Sequence, residues 1–269
     1  MICYKLGACT CTFCWGLLVP LLTPTLTMLP ALPAELVDHI FSFLPQEDTS
    51  ALKACSKAHP LFSSLAERYL YKHVVIDKHS EVCNPVIKNP RLLDYPRTLE
   101  IFAYITDRNL LPIDIMSVIP RMANLVSLRI DGPLCPYGQR AEFFSMFRNC
   151  LHHSSFRELH LFSIFFFPFS ILDDAKNIKK LTLSDCSAGG GWISSTISTS
   201  SQLSLDTLIL SGRHYPPVHR WAARWGTRLT SLELHDLLND LDWGVFPEVL
   251  AACSNSLTRL HLDESYRCM

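Results

Sequence analysis

Eleven histidines offer the first place to look for chemistry. Imidazole is the side chain best suited to proton transfer and metal ligation near neutral pH. Here the histidines are dispersed. His152-His153 falls at an expected helix end, His160, His235 and His261 fall on expected strands, and His214 and His219 flank a Pro-Pro turn. None belongs to a His-x-x-x-His pair with a glutamate, and the chain has no Gly-x-Ser-x-Gly nucleophile elbow. Gly189-Gly190-Gly191 is followed by no Gly-Lys-Ser/Thr, so it is not a phosphate loop. The paired acids Asp173-Asp174 and Asp240-x-Asp242 suit helix caps and turns. No catalytic residue, cofactor site or metal site is therefore assigned, and the expectation is a protein that is not an enzyme.

The chain has 269 residues, 48% hydrophobic and 18% charged, which is enough apolar material for a sizeable core. A net charge of −1 supplies no basic stripe for nucleic acid and no polybasic membrane signal. Eleven cysteines form no disulfide framework: Cys3, Cys9, Cys11 and Cys14 crowd the first fourteen residues and the rest are scattered singly. Scattered cysteines and the lack of an Asn-x-Ser/Thr acceptor fit a reducing, cytoplasmic or nuclear compartment.

Residues 1–27 carry one lysine, Lys5, ahead of an apolar run. A signal peptide, a lipidated anchor and a thiol metal site are possible readings. Pro20 and Pro24 interrupt the run where a spanning helix would need about 20 continuous apolar residues. A poorly ordered or spurious extension before Met28 fits best, and membrane attachment is not expected.

Residues 29–62 read LPALPAELVDHIFSFLPQEDTSALKACSKAHPLF. Pro33 suits a first helical turn and Glu35 suits the positive end of the helix dipole. Leu32, Leu36, Val37, Ile40, Phe41 and Leu44 recur at three- and four-residue spacings, the mark of one broad apolar face. Pro45 ends that helix, and Asp48 or Thr49 caps a second with Leu52 and Cys55 inward. A third helix follows through Phe62, Leu65, Ala66, Tyr69 and Leu70. Three short helices bury too little surface for this much apolar material, so a partner or the rest of the chain must complete the unit.

Leu32-Pro33-x-Glu35-Leu36, Ile40-Phe41-x-x-Leu44, Asp48, Leu52, Cys55-Ser56, Phe62 and Leu70-Tyr71 together resemble the F-box family over residues 29 to about 75. The Ser-Lys-Ala-His-Pro after Cys55 is similar to divergent fungal-type members. The resemblance implies docking to a Skp-family adaptor of a cullin–RING ubiquitin ligase. Position by position, the implied contacts are Leu32, Pro33, Leu36, Ile40, Leu44 and Leu52.

The remainder repeats: PRTLEIF, LVSLRID, FRELHLF, IKKLTLS, LDTLILS, LTSLELH and LTRLHLD. The central leucines, Leu99, Leu128, Leu159, Leu181, Leu208, Leu232 and Leu260, stand 29, 31, 22, 27, 24 and 28 residues apart. That period belongs to leucine-rich repeats, in which a short strand and an outer helix or 3₁₀ turn stack on their neighbours. Ile113–Met122, Ala141–Leu151, Val218–Trp225 and Val245–Cys253 carry the apolar spacing of such return helices. Only Cys186 occupies the position of the usual asparagine or cysteine ladder. Ser184–Gln202 reads as a mobile loop, and the aromatic run FSIFFFPF (162–169) as core.

Alternation along each strand turns the residue beside each leucine outward. One expected row is Glu100, Arg129, His160, Thr182, Ile209, Glu233 and His261. The next is Phe102, Asp131, Phe162, Ser184, Ser211, His235 and Asp263. The expected fold is α+β or α/β: a three-helix F-box (28–75), a linker (76–96) and an irregular leucine-rich-repeat solenoid (97–269) with a parallel concave sheet. The expected function is the substrate receptor of an SCF-type ubiquitin ligase, with an unknown protein client on the concave rows. The alternative is a leucine-rich-repeat interaction protein anchored at a membrane through residues 1–27, and a hydrolase is a third, weaker reading.

Overall fold

A computed structural model describes residues 33–44, 49–58, 60–77, 83–102, 113–132, 140–165, 167, 169–186, 203–212, 228–235 and 246–263. The readings of residues 1–27, Leu32, the loop beyond Cys186, Val218–Trp225, His214, His219 and Asp240-x-Asp242 lie outside these residues. The chain divides into two compact units, Met1–Asp48 and Thr49–Met269. The division falls between the first and second helices of the expected box.

In the first unit, α1 (Ala34–Ser42) starts behind Pro33, whose extended backbone places its carbonyl to accept from Leu36 N and Val37 N at 3.0 and 3.2 Å. Glu35 sits in the first turn and His39 in the last, each matched to its end of the helix dipole. The expected broad apolar face is split: Val37 and Phe41 are buried, while Leu36, Ile40 and Phe43 are exposed.

The second unit opens with α2 (Thr49–Ala58) and α3 (Pro60–Leu70), which pack on one another. The rest is an α/β-type fold in which the described residues form a parallel sheet of eight strands in chain order. The strands are β1 (His73–Ile76), β2 (Thr98–Phe102), β3 (Ser127–Asp131), β4 (Glu158–Phe162), β5 (Lys180–Ser184), β6 (Thr207–Ser211), β7 (Ser231–His235) and β8 (Arg259–Asp263). Seven coincide with the seven repeats. Leu99, Leu128, Leu159, Leu181, Leu208, Leu232 and Leu260 pair in one unbroken row across the sheet.

The eighth strand, β1, corrects the expected boundaries. Tyr71-Lys-His-Val74-Val-Ile76 has the repeat's apolar spacing with valine in place of leucine, and Val74 pairs with Leu99. The expected linker (76–96), where it is described, is built into the fold. It includes α4 (Cys83–Lys88) and a 3₁₀ turn (Pro90–Asp94), and Val86 and Leu93 join the hydrophobic core.

Both inward residues of β1 through β7 are buried. Covering them are α5 (Ile113–Val118), α6 (Arg140–Leu151) and α7 (Phe246–Cys253), with 3₁₀ turns at Ile119–Arg121 and Phe169–Asp174. Ile119, Phe147, Leu151, Leu172 and Val249 are among the residues these segments bury in the core. The aromatic run is largely core, as its composition suggests. Phe167 packs edge-on against Phe147 and Phe169, with centroids 5.4 and 5.2 Å apart, whereas Phe165 is exposed.

Two backbone ladders fix the strands' ends. Before the strands, the carbonyls of Lys72, Arg97, Val126, Arg157, Lys179, Asp206 and Thr230 each accept two consecutive N–H groups of the next repeat, at 2.7–3.1 Å. A carbonyl oxygen has two lone pairs, so each is used fully. After the strands, Gly132, Ser163, Asp185 and Gly212 take positive φ. Each donates its N–H to the last strand residue of the following repeat: Phe162, Ser184, Ser211 and His235.

A side-chain ladder that the sequence reading does not include accompanies them. Asn124 donates to the Asp94 carbonyl (2.8 Å), Ser155 to Ala123 (2.7 Å), Asn177 to His153 (3.2 Å) and Ser256 to Leu229 (2.8 Å). Each donor stands four residues before a central leucine, a spacing the sequence carries on the other side of the strand from the place of Cys186. No helix among the described residues is long and apolar enough to cross a membrane.

Candidate interaction surfaces

The first surface is the outer side of α1. Leu36 and Ile40 are 44% and 47% exposed, one turn apart, and Phe43 continues the stripe. Pro33 is exposed and Leu44 half-buried. The His39 ring meets Phe43 edge-on at 4.7 Å and so holds one end of the stripe. Leu52, expected among the adaptor contacts, is corrected: it is 2% exposed, on the buried side of α2 with Ala51, and presents no surface.

The second surface is the outward face of the sheet. The register places both expected rows as drawn, from Glu100 to His261 and from Phe102 to Asp263. A third row runs beside them: His73, Thr98, Ser127, Glu158, Lys180, Thr207, Ser231 and Arg259. The same alternation that gave the first two rows gives this one, carried one step further back along each strand.

Arg129 dominates one end of this face. Its guanidinium lies 4.2 Å from the Phe162 ring centroid and 5.7 Å from that of Phe102, and its Nη2 reaches Asp131 Oδ2 at 3.1 Å. Arg129 Nε is closed to solvent and has no hydrogen-bond partner among the described residues. Asp131, expected as an accessible contact, is nearly buried beside Arg129. Thr182 is nearly buried too, its hydroxyl 2.9 Å from His160 Nδ1.

His160 also approaches Glu158 at 3.5 Å through Nε2. Burial pushes its pKa below the ordinary histidine value, against the pull of Glu158 and with further lowering by Lys180 and Arg129. Thr182, His160 and Glu158 thus form a hydroxyl–imidazole–carboxylate line, and Thr98, His73 and Glu100 form a looser one at 2.7 and 4.0 Å. A nucleophile must be reachable, and Thr182 is not. An oxyanion needs preorganised donors, and the strand N–H groups beneath are committed to the sheet.

At the other end, Glu233 and His235 on β7 face His261 and Asp263 on β8. His235 Nδ1 lies 3.3 Å from Asp263 Oδ2, and Nε2 lies 3.6 Å from Glu233 Oε2. The two imidazole centroids are 5.4 Å apart. Ile209, half-buried, sits between Thr182 and Glu233. Buried Cys186 donates to the Leu161 carbonyl at 3.4 Å, and burial pushes its thiol, like that of Cys150, up to about 12. The sequence matches no protein-family model and no curated protein.

Proposed function

We propose that the chain is the substrate-receptor subunit of an SCF-type cullin–RING ubiquitin ligase: an F-box followed by a leucine-rich-repeat solenoid. The observation that carries this reading is the exposed apolar stripe of Pro33, Leu36, Ile40 and Phe43 on a nine-residue helix that buries Val37 and Phe41. Leaving Leu36 and Ile40 wet forfeits part of the roughly 1.5–3 kcal/mol each would gain from full burial. Those two leucine and isoleucine positions are among the contacts that the F-box resemblance implies for a Skp-family adaptor. The outward rows of the sheet, rich in aromatic, charged and imidazole groups, then hold the client. The subunit itself is non-catalytic: transfer follows from holding the client near the charged conjugating enzyme.

Pull-down of a purified Skp-family adaptor by the full chain tests this, with Leu36→Glu/Ile40→Glu as the variant. Capture by wild type and loss in the variant is the expected result. Failure of folded wild type to bind adaptor would sink the ligase reading.

A further inference from the structure

We propose that His235, His261 and Asp263 bind a late first-row divalent cation, zinc by preference, with Glu233 as the outer partner of His235. The inference stands on the β7–β8 pairing and not on the ligase reading. Residues i and i+2 of a strand share a face about 6.6 Å apart, and paired strands lie about 4.8 Å apart, so four side chains spring from the corners of a rectangle fixed by backbone. Glu233 stands opposite His261, and His235 opposite Asp263.

The distances suit one ion. One ligand atom from each of His235, His261 and Asp263 lies within 4.8 Å of the other two. His235 Nδ1 and Asp263 Oδ2 are 3.3 Å apart. Two ligands of a tetrahedral ion, each bonded at about 2.0–2.1 Å, stand about 3.3 Å from one another. His261 is exposed, and rotation of its side chain closes the remaining gap.

The chemistry is selective. Two imidazoles and one carboxylate suit zinc, copper and nickel, whereas calcium and magnesium take oxygen ligands. Metal-bound imidazoles commonly give their second N–H to a carboxylate, which fixes the tautomer and the ring. Glu233 Oε2, 3.6 Å from His235 Nε2, is placed for that. Three protein ligands leave a fourth position open. It opens on the sheet face, where a histidine, cysteine or carboxylate from a bound partner can complete it. Cys150 and Cys186 are buried, and that burial, which pushes their thiols up to about 12, makes them poor ligands by comparison.

The test titrates the purified full chain with Zn²⁺ against a chromophoric chelator, and with Co²⁺ followed by absorption. Wild type takes up one equivalent more than His261→Gln/Asp263→Asn. Glu233→Gln keeps that equivalent but binds it about tenfold more weakly, the lower end of what an outer partner contributes. The Co²⁺ difference spectrum between wild type and the double variant shows d–d bands without thiolate charge transfer. Equal stoichiometry and affinity in wild type and double variant overturns the site, as does a thiolate band in the difference spectrum. If the double variant loses its far-UV circular dichroism, carbethoxylation of wild type decides: Zn²⁺ must protect His235 and His261, and equal labelling with and without Zn²⁺ overturns the proposal.

Discussion

The Arg129 guanidinium lies 4.2 Å above the Phe162 ring of β4 while its Nη2 holds Asp131 of its own strand at 3.1 Å. Phe102 on β2 supplies a second ring, 5.7 Å away. Planarity matters, because a guanidinium can stack on a ring and donate in its plane at once, and an ammonium cannot.

Arg129→Lys is therefore not conservative. It keeps the charge beside Asp131 and loses the stack, which is worth about 0.5–1 kcal/mol at a partly exposed site. Arg129→Ala also leaves the nearly buried Asp131 without this partner and costs about 1–3 kcal/mol. The check is urea unfolding, reading a lower midpoint at constant m. Equal midpoints for wild type and Arg129→Ala would show that the contact adds nothing.

The central leucines look alike in sequence but differ in place. Leu159 is fully buried between neighbouring repeats, whereas Leu260 on the last strand is 45% exposed. Leu159→Ala should cost about 2–5 kcal/mol, the range for a buried leucine. Leu260→Ala should cost about 1 kcal/mol or less, because its side chain gives up water only in part. Comparison of the two variants' thermal midpoints decides, and similar losses would contradict the stacking order.

Most of the sheet was legible because a leucine every 22–31 residues fixes both the strand and its register, and register fixes which side chains share a face. The rows from Glu100 to His261 and from Phe102 to Asp263 followed from alternation alone. What escaped had physical reasons. β1 hid because Val74 replaces leucine, and the polar ladder of Asn124, Ser155, Asn177 and Ser256 hid because it lies before each strand and not after it. The burial of Thr182 and Asp131 depends on the reach of His160 and Arg129, which spacing does not encode. His235, His261 and Asp263 were already adjacent in the drawn rows. As a cluster they are hidden because they span two rows and two strands far apart in sequence, so no metal-binding spacing along the chain marks them. On α1, periodicity marked the apolar residues but not their division: Val37 and Phe41 went inside, Leu36 and Ile40 did not.

Gly212 is required twice over. Its φ is +74°, and a Cβ built there would strike the Asp185 carboxylate. Gly212→Ala should cost about 1–3 kcal/mol, part from backbone strain and part from the clash. Truncating the neighbour separates the parts. Gly212→Ala/Asp185→Ala should recover the clash component and retain the strain, so the double-mutant cycle gives a favourable coupling. Strict additivity of the two single losses would show that the Asp185 side chain moves aside without cost.

His160 makes the fold sensitive to acid. Burial lowers its pKa in the folded chain, whereas in the unfolded chain it titrates near the ordinary value of about 6.5. Above pH 6.5 both states hold a neutral ring and nothing is lost. As pH falls below about 6.5, the unfolded state takes up the proton first, so it binds more protons than the folded state and stability declines. The decline continues until the folded-state pKa is passed. His160→Gln, which keeps an acceptor near Thr182, removes this component. Thermal midpoints measured from pH 7.5 to 5 should fall less steeply in His160→Gln than in wild type, with the two curves parallel above pH 7. A steeper fall in the variant would mean that the pull of Glu158 outweighs the burial of the ring.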